Sequence, residues 1–117
     1  MGKKILIVDD TKDDLETMKE VLEGAEFDVT IAENGAEALD IEKEETFDLI
    51  LLDIKLPTLS GVDLLRLLKD SKNKNAKMMY VSIVPQDEVE MEGADGFTQK
   101  PFSPESLLKE VKKVLAK

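Results

Sequence analysis

Two short runs of consecutive apolar residues mark the first half of the chain. Residues 5–8 (ILIV) lead into Asp9-Asp10, and residues 49–52 (LILL) lead into Asp53. A short unbroken apolar run bounded by turn residues is typical of a strand buried on both faces, as in the middle of a parallel sheet. In open α/β sheets, ligands bind at the carboxyl ends of such strands. The pattern therefore predicts that these aspartates lie at a binding edge.

Apolar residues at helical spacing separate the strand candidates from one another. The pattern predicts strands over residues 4–9, 28–32, 49–52, 78–82 and 96–98. It predicts helices from a Thr11 cap to Gly24, over 36–45, from a Ser60 cap through Leu68, over 86–92, and from Ser103-Pro104 through Leu115. Thr11 and Asp14 have the spacing of a capping box, in which Asp14 reaches back to the cap. The segment 86–92 is short and acidic, with only two apolar residues.

The alternation of strand and helix, repeated five times, predicts an α/β fold. Right-handed crossovers then produce a five-stranded parallel sheet with helices on both faces. The chain of 117 residues suits one domain over residues 1–117, and we find no internal repeat or linker.

Composition excludes several kinds of chemistry. The chain has no cysteine and no histidine, so it has neither thiolate nor imidazole groups for catalysis or metal binding. Its formal charge of −10 disfavours binding to nucleic acid or to an anionic membrane. No apolar run approaches the roughly 18 residues of a membrane helix, and the N-terminus does not resemble a signal peptide. We therefore expect a cytoplasmic protein.

Polar side chains stand where four of the predicted strands end. Asp9 and Asp10 follow the first strand, Asp53 the third, Ser82 ends the fourth, and Lys100 follows the fifth. Carboxylates gathered at one edge repel each other unless a cation is present, and an all-oxygen ligand set indicates a hard ion such as Mg²⁺. Lys100 and Ser82 would supply a positive charge and a hydroxyl donor for a phosphoryl group. The pattern predicts a site for Mg²⁺ and phosphate at this edge.

Each of these side chains also has an ordinary explanation when it is taken alone. Asp9 or Asp10 could cap the first helix, and Asp53 could be a turn residue after its strand. A lone lysine such as Lys100 is most often a surface charge, and a serine such as Ser82 is often bonded to backbone. Their joint placement on strand ends favours a shared site.

In their order and placement, these residues resemble the receiver domain of two-component response regulators, over essentially the whole chain. The acidic pair and Ser82 match family positions, and the segment 53–61 (DIKLPTLSG) resembles the phosphoacceptor segment. The segment 93–102 (GADGFTQKPF) resembles the last signature of the family. The resemblance implies a flavodoxin-like (βα)5 doubly wound sandwich with strand order 2-1-3-4-5.

The resemblance also implies how phosphate and metal are bound. Asp53 is the expected nucleophile and phosphoacceptor. Asp10, Asp53 and the backbone carbonyl of Lys55 are expected to bind Mg²⁺ directly, with Asp9 acting largely through water.

A second group of residues is expected to respond to phosphorylation. Lys100 is expected to pair with the phosphoryl group, and its bond to Pro101 is expected to be cis. Ser82 and Phe97 form the expected switch pair, in which the Ser82 hydroxyl turns to the phosphoryl oxygen and the Phe97 ring turns inward. Taken alone, Phe97 would be an ordinary core aromatic.

The implied function is that of a stand-alone, Mg²⁺-dependent phosphoryl acceptor in two-component signalling. The expected donor is a histidine kinase or a phosphotransfer protein. The expected output is binding of a partner protein through the face of the fourth helix, fifth strand and fifth helix, with the chain a monomer or a weak phosphorylation-dependent dimer. The chain ends soon after the fifth helix, so no output domain is expected. Apart from its own phosphorylation and dephosphorylation, no catalysis is expected.

The sequence departs from the family pattern in three places. Ile83 follows Ser82 where a small residue is usual, Phe97 stands where Tyr is common, and Ser82 and Lys100 are about one helical turn closer than usual. The fourth helix is therefore expected to be shortened. Ile83 and the shortened helix motivate an alternative, a pseudo-receiver, which is an interaction module that works without phosphorylation.

A flavin carrier or an aspartate-based phosphatase is a third hypothesis. A flavin carrier would need a hydroxyl-rich loop after the first strand, and residues 9–14 (DDTKDD) are mostly acidic. A phosphatase of this kind would need a second aspartate two residues after Asp53, where Lys55 stands. Both departures disfavour this hypothesis.

Overall fold

The computed structural model describes residues 2–117 as alternating strands and helices. The strands are β1 (Lys4–Val8), β2 (Asp28–Ala32), β3 (Leu49–Leu52), β4 (Lys77–Ser82) and β5 (Gly96–Gln99). The helices are α1 (Lys12–Gly24), α2 (Gly35–Glu44), α3 (Gly61–Lys69) and α4 (Pro104–Leu115), with a 3₁₀ turn at Gln86–Glu88 between β4 and β5. Each helix in residues 2–117 is too short and too polar to cross a membrane.

The five strands form one parallel sheet in the order β2-β1-β3-β4-β5, so the predicted fold and strand order are confirmed. β1 and β3 lie side by side, with Val8 opposite Leu52. Because both strands end at this level, the residues that follow them, Asp9 and Asp53, leave the sheet as neighbours.

Two hydrophobic clusters, one on each face of the sheet, explain the unbroken apolar runs. Alternate residues of a strand point to opposite faces, so a strand covered on both sides is apolar throughout. One cluster combines residues of β1 and β3 with residues of α2 and α3, among them Leu6, Ile50, Ala38, Leu64 and Leu68. The other combines the remaining residues of the same strands with α1 and α4, among them Ile5, Leu51, Leu15, Leu22 and Val111.

The predicted fourth helix is reduced to a single 3₁₀ turn at Gln86–Glu88, which confirms the expected shortening. The predicted α-helix over 86–92 is therefore wrong in type and length, and the predicted fifth helix is α4. Of this segment, only Val89 and Met91 pack against the core, too little apolar surface for an α-helix to bury. An ion pair of 2.7 Å between Arg66 Nη2 and Glu90 Oε2 joins the segment to α3.

The helix starts agree with the sequence in two cases and differ in one. Ser60 and Ser103 accept hydrogen bonds from backbone N–H groups in the first turns of α3 and α4, as predicted. Thr11 is the residue before α1 but makes no side-chain cap bond, so the predicted capping box is wrong. The carboxylate of Asp14 contacts Lys100 instead. The bond between Lys100 and Pro101 is cis, as predicted.

Candidate functional site

The candidate site lies at the carboxyl edge of the sheet, over β1 and β3. The N–H of Asp53 donates to the carbonyl of Val8 at 2.9 Å, and the N–H of Asp9 donates to the carbonyl of Ala32 at 3.1 Å. These bonds continue the ladder one step past the strands, so both aspartates are held by backbone and not by loop packing alone. The side chains of both aspartates are buried. Buried carboxylates in proteins are usually paired with a cation or a hydrogen-bond donor.

Three carboxylates come together here. Asp9, Asp10 and Asp53 each offer one oxygen, and these three oxygens lie within 4.8 Å of one another. Asp9 and Asp53 are buried, whereas Asp10 is exposed at the mouth of the site. One oxygen of Asp9 accepts from the Thr11 N–H at 2.8 Å, and one oxygen of Asp53 accepts from the Lys55 N–H at 3.3 Å. These backbone bonds fix the orientation of the two buried carboxylates.

Lys100 is the cation of the site. Its Nζ lies 2.6 Å from an oxygen of Asp9, 2.9 Å from one of Asp14 and 3.3 Å from one of Asp53. The side chain of Lys100 is only 8% exposed. The contacts with Asp9 and Asp53 are hydrogen bonds, and the contact with Asp14 is an ion pair. Together, Asp9, Asp10, Asp14 and Asp53 outnumber this single cation.

Burial and ion pairing set the charge states of this group. Burial alone disfavours the charged form of Lys100, but the hydrogen bond to Asp9, the close carboxylate of Asp14 and the charges of Asp9 and Asp53 outweigh it, so the pKa of Lys100 is raised. Burial raises the pKa of Asp9, and the bonds from Lys100 and the Thr11 N–H offset only part of that rise. Lys100 is therefore a permanent positive charge at any physiological pH.

The expected switch residues lie beside the carboxylates and not among them. Ser82 is buried at the end of β4, and its Oγ accepts from the Val84 N–H at 3.2 Å, within its own loop. Phe97 lies opposite Tyr80 in the β4–β5 register and is half-buried against the α2–α3 cluster. The side chain of Lys55 is exposed. The roles assigned to these three residues stay predictions.

The mouth of the site has an apolar side. Ile83 is 60% exposed, the most exposed large apolar side chain described in residues 2–117. With Pro101 and Phe102 it lines a cavity of about 330 Å³ that also reaches Asp14 and Lys100. Ile83, which stands where the family has a small residue, therefore borders the same cavity as Lys100.

Asp14 is the site residue that the sequence pattern did not reveal. Its spacing from Thr11 predicted a helix cap, and nothing local distinguishes it from a cap. The available signal was its place in the first turn of α1, directly after the loop that carries the acidic pair. A carboxylate there faces the same sheet edge as Lys100.

The donor set fits a hard divalent cation. Its ligand atoms are carboxylate oxygens, two of the three groups are buried, and their charges exceed what Lys100 compensates. Mg²⁺ takes one or two carboxylates directly and keeps several waters, which suits a cluster with one exposed face. The uncompensated charge is itself the reason for such an ion to bind.

Comparison with known proteins agrees with this geometry. The family profile of the response regulator receiver domain matches residues 5–112. The DNA-binding response regulator MtrA of Mycolicibacterium smegmatis is 34% identical over 114 residues, covering 96% of this chain and 50% of MtrA. The chain thus spans about half the length of the curated relatives it matches.

Two solved structures extend the likeness to three dimensions. A CheY-like response regulator receiver domain protein from Methanospirillum hungatei is 34% identical, with a TM-score of 0.91 over 99% of this chain and 95% of that one. The response regulator TrrA from Thermotoga maritima, solved in complex with Mg(2+)-BeF, is 32% identical, with a TM-score of 0.86 over 96% of this chain and 98% of that one.

Proposed function

The chain belongs to the response regulator receiver domain family, and on that premise we propose that it accepts a phosphoryl group on Asp53 in two-component signalling. The observation that carries the proposal is the convergence of Asp9, Asp10 and Asp53 on one point beside the buried ammonium of Lys100. The proposed donor is a histidine kinase or a phosphotransfer protein. Because such a donor takes its phosphoryl group from ATP, the proposed place of action is the cytoplasm.

The residues of the site divide the work of phosphoryl transfer. A carboxylate oxygen of Asp53 forms a bond to phosphorus while the donor's bond to phosphorus breaks and its electron pair leaves with the donor. Phosphoryl transfer depends more on positioning and charge neutralisation than on covalent help from the protein. Lys100, 3.3 Å from Asp53, neutralises charge on the arriving phosphoryl oxygens. We propose that the protein catalyses no reaction other than its own phosphorylation and dephosphorylation.

Asp10, Asp53 and the carbonyl of Lys55 are the proposed direct ligands of Mg²⁺, with Asp9 acting through water. When bound, the ion supplies positive charge for the phosphoryl oxygens. The structure of TrrA with Mg(2+)-BeF supports a metal of this kind in a related domain. The carboxylates of Asp9, Asp10 and Asp53 offer the oxygen ligands that Mg²⁺ prefers.

The proposed output is a change in binding to a partner protein. The hydroxyl of Ser82 would leave the Val84 N–H and turn to the phosphoryl group, and Phe97 would turn inward beside Tyr80. Both residues border the face built from the 3₁₀ turn, β5 and α4, so this face would change shape. The proposed oligomeric state is a monomer or a weak dimer formed after phosphorylation.

Acetyl phosphate and Mg²⁺ provide the direct test. We expect intact mass spectrometry to show one phosphoryl adduct on the wild type and none on Asp53→Asn. Asp28→Asn, an exposed aspartate at the start of β2 and far from the edge, is the control and should keep the adduct. A wild type without an adduct, or an adduct that survives Asp53→Asn, would contradict the proposal and favour a pseudo-receiver.

A further inference from the structure

Asp14 contacts the central cation of the site although its position predicted only a helix cap. Its Oδ2 lies 2.9 Å from Lys100 Nζ, and its side chain is 35% exposed. No side-chain cap bond forms at the start of α1, so this carboxylate is not committed to the helix. The ion pair with Lys100 is the contact that explains its position.

The ammonium of Lys100 is held between three carboxylates. Its Nζ donates hydrogen bonds to Asp9 at 2.6 Å and Asp53 at 3.3 Å, and it forms an ion pair with Asp14 at 2.9 Å. The contact with Asp53 is the longest of the three. A phosphoryl group on Asp53 would attract the ammonium, and any movement of Nζ toward it lengthens the contact with Asp9 or Asp14.

Asp14 is the partner that Lys100 can release at the smaller cost. Asp9 is fully buried, and separating it from Lys100 would leave a buried carboxylate without its cation, which is strongly unfavourable. Asp14 is partly exposed, so water can solvate its carboxylate when the ammonium leaves. Asp14 also lines the open cavity that Lys100 shares with Ile83 and Phe102.

We propose that Asp14 is a positioning residue that restrains Lys100 and slows phosphoryl uptake by Asp53. The inference rests on the proposed function and adds a level of control to the same site. In the step, a carboxylate oxygen of Asp53 bonds to phosphorus, the phosphorus–oxygen bond of acetyl phosphate breaks, and acetate leaves with the electron pair. Lys100 exchanges its ion pair with Asp14 for a hydrogen bond to a phosphoryl oxygen, and no proton is transferred.

The test compares phosphorylation rates of wild type, Asp14→Asn and Asp13→Asn with acetyl phosphate and Mg²⁺. Asp14→Asn keeps the shape and removes the charge. Asp13→Asn makes the same change in net charge on the exposed neighbour. At low ionic strength we expect Asp14→Asn to react about threefold to tenfold faster than wild type, and Asp13→Asn to stay within about twofold. Added KCl should shrink the first ratio, because salt screens the charge that Asp14 contributes.

Binding of beryllium fluoride with Mg²⁺ provides an equilibrium readout that needs no turnover. We expect Asp14→Asn to bind this phosphoryl mimic more tightly than wild type, seen as a larger rise in melting temperature at the same concentration. A purely structural role for Asp14 would leave the rise unchanged or reduce it. Asp14→Ala, which also removes the oxygen acceptor, should match or exceed Asp14→Asn if it remains folded by circular dichroism.

The outcomes separate the two proposals. If the wild type takes no phosphoryl group, the proposed function fails. If the wild type is phosphorylated but folded Asp14→Asn and Asp14→Ala react at the wild-type rate or more slowly, the proposed function stands and the restraint by Asp14 is refuted. Equal acceleration by Asp13→Asn would refute it as well, since net charge alone would then explain the effect.

Discussion

The position of the Asp10 carboxylate is unfavourable for the stability of the fold and favourable for binding a cation. Its carboxylate is exposed but lies within 4.8 Å of two buried carboxylates, those of Asp9 and Asp53. Like charges at this distance repel each other, and Lys100 contacts only the two buried groups of the three. The repulsion therefore destabilises the folded protein, and binding of a divalent ion would remove this effect.

Replacing Asp10 by asparagine separates stability from metal binding. In EDTA, Asp10→Asn should stabilise the protein by about 0.5–1 kcal/mol, because one repulsive charge is lost. Adding Mg²⁺ should raise the melting temperature of the wild type and leave that of Asp10→Asn nearly unchanged. Thermal unfolding with and without Mg²⁺ measures both effects. Asp13→Asn is the control and should keep the response to Mg²⁺.

Tyr80 is a second side chain whose environment opposes its chemistry. It is fully buried in β4, and its hydroxyl has no hydrogen-bond partner among residues 2–117. Burial raises the pKa of Tyr80 to about 12, from an ordinary value of 10.0. The folded state thus resists ionisation of this group more than the unfolded state does.

The stability of the protein should fall as Tyr80 becomes ionisable. The contribution is fully present below pH 10.0 and is lost as the pH rises to about 12, by an amount on the order of 2 kcal/mol. Tyr80 is the only tyrosine and the chain has no tryptophan, so tyrosinate absorbance reports this residue alone. The titration should have its midpoint near 12 in buffer and near 10 in urea. Tyr80→Phe should remove this component of the pH dependence at little cost in stability at neutral pH.

Among the secondary-structure elements, the end of α2 and the start of β3 are joined by one buried side chain. Asn73 lies in the loop after α3, at the sheet edge opposite the candidate site. Its Oδ1 accepts from the Phe47 N–H at 2.7 Å, and its Nδ2 donates to the carbonyl of Glu45 at 3.0 Å and to the carbonyl and carboxylate of Glu42 at 3.3 Å. These bonds satisfy backbone groups that the turn between α2 and β3 would otherwise leave unpaired.

Removing this amide should destabilise the fold without touching the chemistry. Asn73→Ala leaves the buried Phe47 N–H without an acceptor, so we expect a loss of about 2–3 kcal/mol in the free energy of unfolding by urea. The exposed neighbour Asn75 serves as control, and Asn75→Ala should change stability by less than about 0.5 kcal/mol. The folded fraction of Asn73→Ala should still be phosphorylated on Asp53. A loss as small as that of the control would show that water can replace the amide.

The segment between β4 and β5 shows how packing selects an element. This segment has several acidic residues and few apolar ones, and it forms a single 3₁₀ turn. Arg66 and Glu90 join it to α3, and Asp95 bonds the start of β4 through both its N–H and its carboxylate. A segment held at its ends by polar contacts needs no helix of its own. The proposed output face therefore carries a 3₁₀ turn where the sequence predicted an α-helix.

For the protein as a whole, the net charge of −10 acts against the compact state. We expect the melting temperature to rise by about 2–5 °C between very low and roughly physiological ionic strength, as salt screens the repulsion. MgCl₂ at matched ionic strength should add a further rise through the site on Asp53. The Asp10→Asn variant should show the rise with NaCl and lack the additional one with MgCl₂. A wild type that responds equally to both salts would argue against a specific metal site.

Much of this architecture follows from local patterns in the chain. Apolar runs of four residues identify β1 and β3, because only a doubly covered strand needs both faces apolar. Once those strands are placed side by side, Asp9 and Asp53 are neighbours by geometry, and the fifth strand brings Lys100 to the same edge. This much depends on periodicity and on the rule that parallel strands share their carboxyl ends.

What could not be read locally is the choice among partners that the fold brings within reach. Asp14 has the spacing of a cap, yet a buried ammonium that is distant in sequence attracts its carboxylate more strongly than an exposed helix end does. The predicted helix over residues 86–92 does not form for a similar reason. A helix there would need apolar surface that neighbouring elements could cover, and this segment has little. Hydrophobic periodicity is a property of the chain, whereas charge pairing and burial depend on distances that exist only after the sheet has formed.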